Sequence, residues 1–454
     1  MTKRFIGQKN ICKDRSVAAK KEGNNRMTNR ISALSLAVLH VKAMAQNRFP
    51  KPDFESGYRY PTFTYHVPDE VSLATLDVVL LIVLMGIVAW AVVRKKRRAP
   101  VIWVSVISVA YFGFFRSGCV CSIGSIQNVA LALSDSSYAM PPAVLLFFVL
   151  PVFFTLLFGR VFCAGVCPMG ALQELVNVKN FRLSRPVEAT LGLIPWIYLA
   201  FAVLFAVTRS SFFICRFDPF VGIFRLGGDI GMILFGAFLF IAAVFTGRPF
   251  CRFLCPYGAL LSLFSRVSIW RIKMTPSCIN CDLCLHACPL NAIRPPYENR
   301  VKESRMHGVK RILIYLVFLP AITAVGAFVL YLMSDSFSYA NKDIRLYDLV
   351  VQSEAAPQDL PPLEVETFYA QGGALEELTV RTGKIRSIFR RSAVFAGAFI
   401  GLAIGCMLIG LSLKRTRKTY EIDDAACVNC GRCFGYCPLN QGKCGTNQEI
   451  KKIK

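Results

Sequence analysis

Eight of the chain's 18 cysteines fall into two copies of one tight spacing. These are Cys278-x2-Cys281-x2-Cys284-x3-Cys288-Pro289 and Cys427-x2-Cys430-x2-Cys433-x3-Cys437-Pro438. A cubane of iron and sulfide needs four thiolates converging on one small object. A short loop supplies three, and the fourth, three residues further on, reaches the neighbouring cubane. The spacing therefore predicts one [4Fe–4S] cluster on Cys278, Cys281, Cys284 and Cys437, and a second on Cys427, Cys430, Cys433 and Cys288. Zinc instead wants two Cys-x2-Cys hooks separated by a longer loop, which neither motif offers. Both motifs also carry asparagine two positions after the first cysteine, Asn280 and Asn429, and end in Pro-Leu-Asn.

Two further pairs, Cys163-x3-Cys167-Pro168 and Cys251-x3-Cys255-Pro256, sit inside an internal repeat. Gly159–Leu172 (GRVFCAGVCPMGAL) and Gly247–Leu260 (GRPFCRFLCPYGAL) agree at nine of 14 positions, 88 residues apart. Residues four apart share a helix face. The proline starts a fresh helix at Met169 or Tyr257, so the second thiol of each pair lies near a positive helix N-terminus that favours thiolate. Joint ligation of a metal or cluster, redox thiol chemistry and the packing of small apolar residues all remain open. Cysteine in both positions of both copies argues against packing alone. Upstream of the pairs lie Cys119 and Cys121 in the first unit and Cys215 in the second. Cys121 and Cys215 are candidate ligands of a further centre, or inert loop residues. Cys12, Cys406 and Cys444 have no partner spacing and read as structural.

The elements that position these sulfurs are apolar. Of 454 residues, 54% are hydrophobic and only 18% charged, and the mean hydropathy is +0.47, which makes a lipid bilayer the solvent for much of the chain. The net charge of +25 comes in short clusters beside apolar runs, which suits membrane orientation rather than nucleic acid. Seven stretches have the length of a bilayer crossing: 71–93, 99–115, 141–158, 187–207, 229–245, 309–333 and 393–413. The expected fold is an α-helical polytopic membrane protein of about seven spans with a duplicated core at 71–265. A split, ferredoxin-like, two-cluster module is contributed by 266–308 and 414–454. Two spans within 309–413 flank an acidic extracytoplasmic loop, 334–392. The basic run Arg94–Arg98 puts the end of the first span in the cytoplasm, and counting onward places both ferredoxin-type motifs there as well. Arg381, Lys384, Arg386, Arg390 and Arg391 lie on what should be the outer side, against the same rule. Asp77, in the first apolar run, is expected to snorkel to water near its outer end. Residues 1–70 form an N-terminal region in which 27–45 has the shape of a secretory signal. None of the four histidines, His40, His66, His286 and His307, lies in a long apolar run, so no haem is expected.

The paired Cys-x3-Cys-Pro repeats combined with two ferredoxin-type motifs resemble the membrane-bound polyferredoxin family (NosR/NapH-like 4Fe–4S electron-transfer proteins) over roughly residues 71–440. The segment GCVCSIGSIQNV is most similar to the NosR branch. The resemblance implies electron transfer between a quinol or cytoplasmic redox donor and an extracytoplasmic acceptor protein. It also implies both cubanes on the cytoplasmic side of the inner membrane. Fuller members carry an extracytoplasmic flavin-binding domain before the first span. About 70 residues precede Val71 here, too few for such a domain, so that domain and a covalent flavin are not expected. The expected role is an electron-transfer component rather than a stand-alone catalyst. The alternative is a redox-sensing regulatory or maturation factor for a respiratory metalloenzyme.

Overall fold

Apolar segments deprived of water must satisfy their backbone polar groups internally, which favours helix, and all seven apolar stretches are helical. The computed structural model describes residues 71–440, apart from 119–120, 179, 226, 228, 275–277, 298–304, 356–361, 413–416 and 418. The signal-like segment 27–45 and Cys12, Cys119 and Cys444 therefore lie outside the described residues.

The chain opens with α1 (Val71–Ala89), continued by a π turn to Arg94, and α2 (Ala99–Ser108), continued by a π turn to Phe115. Next come α3 (Ser122–Ser134), α4 (Pro142–Phe158), a π turn at Phe162–Val166 and α5 (Pro168–Val176). The second unit has α6 (Arg185–Leu191), α7 (Ile194–Val207), α8 (Phe213–Arg216), α9 (Pro219–Arg225), α10 (Ile230–Thr246), α11 (Pro249–Phe253) and α12 (Pro256–Ser265). Among the described residues, four helices are long and apolar enough to cross a membrane: Leu73–Arg94, Arg185–Val207, Met306–Ser338 and Leu375–Ser412. Three apolar helices, Ala99–Phe115, Pro142–Phe158 and Ile230–Thr246, are shorter.

The repeats do not lie beyond the helix ends as loops. Each folds back into the helical core as an arm, a short helical turn followed by a second helix. The Ser108 hydroxyl, at the middle of the 99–115 helix, donates to the Val166 carbonyl. Tyr257 Oη donates to Phe148 O at 2.7 Å, well inside α4. The arms supply fully enclosed residues of the main core, among them Val161, Ala164, Val166 and Ala171. The stretch after Phe115, expected as a loop, is largely the helix α3. Its buried Gln127 accepts from the Ile214 amide at 2.9 Å and donates to Ala202 O at 3.4 Å.

Two long helices follow, α14 (Arg305–Ser338) and α17 (Leu375–Ser412). Between the pair of repeats and α14 lies α13 (Leu283–Ala287), and between α14 and α17 lie α15 (Lys342–Ala355) and α16 (Leu363–Ala370). Gly326, Gly397 and Gly401 line the contact of α14 with α17. A Cβ on any of them would collide with the facing backbone, so the two helices approach as small-residue interfaces in lipid allow. Their outer faces are exposed and apolar, as lipid contact requires.

Three of the five basic residues that conflicted with the charge rule face carboxylates. Arg381 faces Asp343 at 3.8 Å, Arg386 faces Asp348 at 3.7 Å and Arg390 faces Asp335 at 3.4 Å. The acidic segment and the basic stretch are thus one cap on the end of the α14–α17 pair. Asp77 does not snorkel to water. It is buried and paired with Arg116 at 2.9 Å, because isolated burial of either charge would be costly.

Candidate iron–sulfur sites

The two ferredoxin-type motifs, over 120 residues apart in sequence, fold into one small module. Strand β1 (Ile293–Arg294) pairs antiparallel with β2 (Glu421–Ile422), with Ile293 opposite Ile422 and Arg294 opposite Glu421. Helix α13 packs on α18 (Arg432–Tyr436). The ligand loops share a backbone path. Asn280 and Asn429 both have φ +53°, and Asp282 (φ +62°) matches Gly431 (φ +67°). Left-handed residues are costly for most side chains, and Asn, Asp and Gly tolerate them best. This is the physical reason for the shared asparagine.

The sulfurs are arranged crosswise. Cys278, Cys281, Cys284 and Cys437 line one cavity, which Cys433 also touches, with Tyr420, Ile272 and Met274 on its walls. Cys288, Cys427, Cys430 and Cys433 line another, with Val428 and Ile293. Burial, reinforced by the charges of Cys281, Cys278 and Cys437, pushes the free Cys284 thiol up to about 12. Burial likewise raises Cys288, with Cys430 adding to it. Cysteine ligands bind as thiolates, which a multiply charged cation stabilises, and the donor set and spacing fit a cubane. Among the described residues no three His, Cys, Asp or Glu side chains close on a single metal ion. The Ala292 amide donates to Cys288 Sγ at 3.3 Å, and Tyr420 donates to Asp282, closing the first loop.

The module docks on the duplicated core with matching pseudo-symmetry. Gly159, the first residue of one repeat, has φ +73° and abuts Asn429 of the second motif. Gly247, the first residue of the other, has φ +61°, and a Cβ there would lie 2.7 Å from Pro289 of the first motif. Arg160 Nη1 donates to Ala425 O at 2.9 Å, Ser265 Oγ to Asp424 O at 2.9 Å and Asn180 Nδ2 to Ala287 O at 3.2 Å. Arg432 Nη1 donates to Asn177 Oδ1 at 2.6 Å. The centre of the seam is Glu174, buried between Arg98 (2.6 Å), Arg248 (3.1 Å) and Arg432 (3.6 Å). Burial alone would raise its carboxyl, but the guanidiniums of Arg248, Arg98 and Arg432 outweigh it and bring it down to about 2. Nothing in the sequence flagged this residue.

The remaining cysteine candidates are also gathered. Cys163, Cys167 and Cys255 are buried in the core and Cys251 is half-buried at its edge. Cys167 and Cys255 stand at the N-caps of α5 and α12, as the proline spacing implied. Cys121 and Cys167 line one apolar cavity. Cys215 Sγ lies against Gly124, one turn into the helix that Cys121 begins. Cys406 faces outward on α17.

The site and fold define a membrane-embedded iron–sulfur protein. A family model described as a 4Fe-4S binding domain matches residues 140–186 and 229–274, the two repeats with their Cys-x3-Cys-Pro pairs. Among curated proteins, an uncharacterized protein of Methanocaldococcus jannaschii is 29% identical over 40% of this chain and 77% of its own. The regulatory protein NosR of Stutzerimonas stutzeri is 29% identical over 44% of this chain and 30% of its own length. YccM of Escherichia coli, named for electron transport, is 30% identical over 37% of this chain and 52% of its own. The match thus spans under a third of NosR. No solved structure matches the chain. With the motifs and their geometry, these likenesses support a NosR/NapH-like membrane polyferredoxin family for the chain.

Proposed function

We propose that the chain passes electrons through two [4Fe–4S] clusters, held by Cys278, Cys281, Cys284 and Cys437 and by Cys288, Cys427, Cys430 and Cys433. The observation that carries this reading is the crosswise gathering of eight sulfurs around two cavities on one module. The clusters would supply one-electron redox chemistry. The protein's part is to bind them side by side, exclude water and fix them against the membrane core.

Seven helices cross the bilayer in this reading, and the cluster module faces the cytoplasm of the inner membrane, where Arg94–Arg98 and the other basic loops lie. A quinol is the donor that best suits the surroundings. A cavity of about 730 Å3 runs between α6, α7 and α17, with Arg185, Arg266 and Arg294 at one end and Trp196, Phe399, Leu402 and Met407 along its walls. Apolar walls suit an isoprenoid tail, and a polar end next to the cluster module suits its ring. Glu188, the carboxylate in the lining, is paired with Arg252 at 2.5 Å. Oxidation of quinol to quinone releases two protons and two electrons, and the cubanes accept the electrons one at a time. The final acceptor is an extracytoplasmic redox protein.

The test is anaerobic purification of the whole chain with iron and sulfide quantification and EPR. At least eight irons per chain, on the rule of four per cubane, and reduction of the signals by a quinol analogue are the expected results. Iron-free, EPR-silent protein overturns the reading. The name of NosR favours a second reading, regulation or maturation of a respiratory metalloenzyme. A deletion strain whose partner enzyme keeps its full metal content excludes it.

A further inference from the structure

A groove of about 800 Å3 opens beside the ferredoxin-type module and is lined by six cations, Arg185, Arg266, Arg271, Lys273, Arg294 and Arg417. Only three carboxylates, Glu421, Asp423 and Asp424, share its walls. Two of these are engaged: Arg271 pairs with Asp424 at 2.5 Å and Arg294 with Asp423 at 3.0 Å. Arg185, Arg266, Lys273 and Arg417 make no ion pair among the described residues. From this imbalance and from the groove's place in the fold, we infer that it holds the phosphate of an anionic phospholipid. The inference goes beyond electron transfer and needs neither cluster.

The first argument is charge. Arg417 is fixed by its backbone, which exchanges hydrogen bonds with Tyr297 at 2.7 and 2.9 Å. Its Nε is nevertheless buried without an acceptor. A guanidinium does not shed its proton, and its planar fork matches two phosphate oxygens. Basic pockets between helices at the cytoplasmic side of a membrane suit lipid headgroups.

The second argument is level. Gly410, in the last turn of α17, stands in the groove wall. The segment that carries Arg266, Arg271 and Lys273 is tied to the end of α4, where the Ile269 and Trp270 amides donate to the Leu156 and Leu157 carbonyls at 3.1 and 2.7 Å. The Trp270 ring stacks on Phe158 with centroids 5.2 Å apart. The groove therefore lies where apolar helices end, the depth at which tryptophan meets headgroups.

The third argument is the alternation of types within that segment. Between Arg266 and Arg271 the side chains of Val267, Ile269 and Trp270 are exposed. A soluble acidic protein would answer the cations alone. The apolar flank selects a ligand that is anionic at one end and apolar at the other. Arg185, Arg266 and Arg294 also stand on the wall shared with the apolar cavity between α6, α7 and α17. With its chains over Val267, Ile269 and Trp270, the lipid borders the mouth of that cavity without filling it.

The test uses the whole chain in detergent, stripped of lipid and titrated with phosphatidylglycerol or phosphatidylcholine, and read by native mass spectrometry and melting temperature. Phosphatidylglycerol should bind saturably and raise the melting temperature. Phosphatidylcholine, whose ammonium group the groove repels, should do neither. Arg266→Gln and Arg417→Gln should each weaken binding about five-fold, the contribution of one cation near a lipid surface, and Arg417→Lys should retain most of it. Arg381→Gln, at the other end of α17, should leave it unchanged. Equal binding of the two lipids, or full affinity in both glutamine variants, overturns the inference. Displacement of phosphatidylglycerol by inorganic phosphate or glycerol phosphate also overturns it, in favour of a soluble phosphate. An acidic plant-type ferredoxin that binds and resists displacement by phosphatidylglycerol overturns it in favour of a protein partner. Should a variant fail to accumulate, the contrast between the two lipids on the unaltered chain still decides.

Discussion

The ferredoxin module and the arm-containing core are two solutions to one problem, joining two copies of a cysteine motif across a pseudo-two-fold. In the module the loops are short, the cysteines half-exposed and the pairing is a two-residue ladder. In the core the same kind of duplication is surrounded by helices, and guanidiniums are packed among the sulfurs. The difference shows what burial adds. Near water a polar or charged group is screened by solvent and backbone dipoles, whereas a buried thiol or guanidinium must find fixed partners within the chain.

The sharpest way to break this comparison is within the module. Cys284→Ser and Cys433→Ser should each remove about four irons, the content of one cubane, by chemical assay. Loss from only one of the two variants would dissolve the symmetry of the pair. The next largest effect belongs to the seam. Glu174→Gln leaves Arg98, Arg248 and Arg432 without a carboxylate and should destabilise the detergent-solubilised protein by about 3–5 kcal/mol in thermal or denaturant melts. The same carboxyl fixes a pH response. Its folded pKa, about 2, lies below its unfolded value, so its contribution is complete above the ordinary carboxylate range. That contribution is lost as pH falls from about 4 toward 2. The melt of the unaltered chain should fall over that window, and that of Glu174→Gln should lack this component.

A smaller effect tests the docking glycines. Gly247→Ala places a methyl group on Pro289 and a side chain at φ +61°, which should cost about 1–3 kcal/mol and loosen the module measurably in hydrogen exchange. The smallest concerns the module's rim. The Arg294–Asp423 pair, at 3.0 Å, is roughly a third exposed, and Asp423→Asn should cost under about 1 kcal/mol with the iron content unchanged.

The module was legible because its chemistry is local. Eight cysteines in two short runs, a shared asparagine and the closing prolines each carry meaning without knowledge of the rest of the chain. The seven apolar helices were legible from composition. The arms were not. Gly159 and Pro168 punctuate the first one like a loop, and its depth is set by a contact between Ser108 and Val166, 58 residues apart. The helix α3 was missed for a related reason, since its inward polar group, Gln127, finds its partners on α7 and at Ile214. Glu174 and its arginines come from four distant places in sequence, and no spacing rule joins them. The misplaced basic stretch Arg381–Arg391 was visible as a contradiction, and its acidic partners lay within the neighbouring segment.

The zipper of glycines between α14 and α17 sets a timetable for biogenesis. Cys278, Cys281 and Cys284 leave the ribosome well before Cys437, which completes their cavity and arrives only at the foot of the returning helix. Until Gly326 meets Gly397 and Gly401, each nascent loop is a three-fingered hand. In the two-cluster reading, iron delivered before that contact would find no finished socket, which would make metal loading a late step.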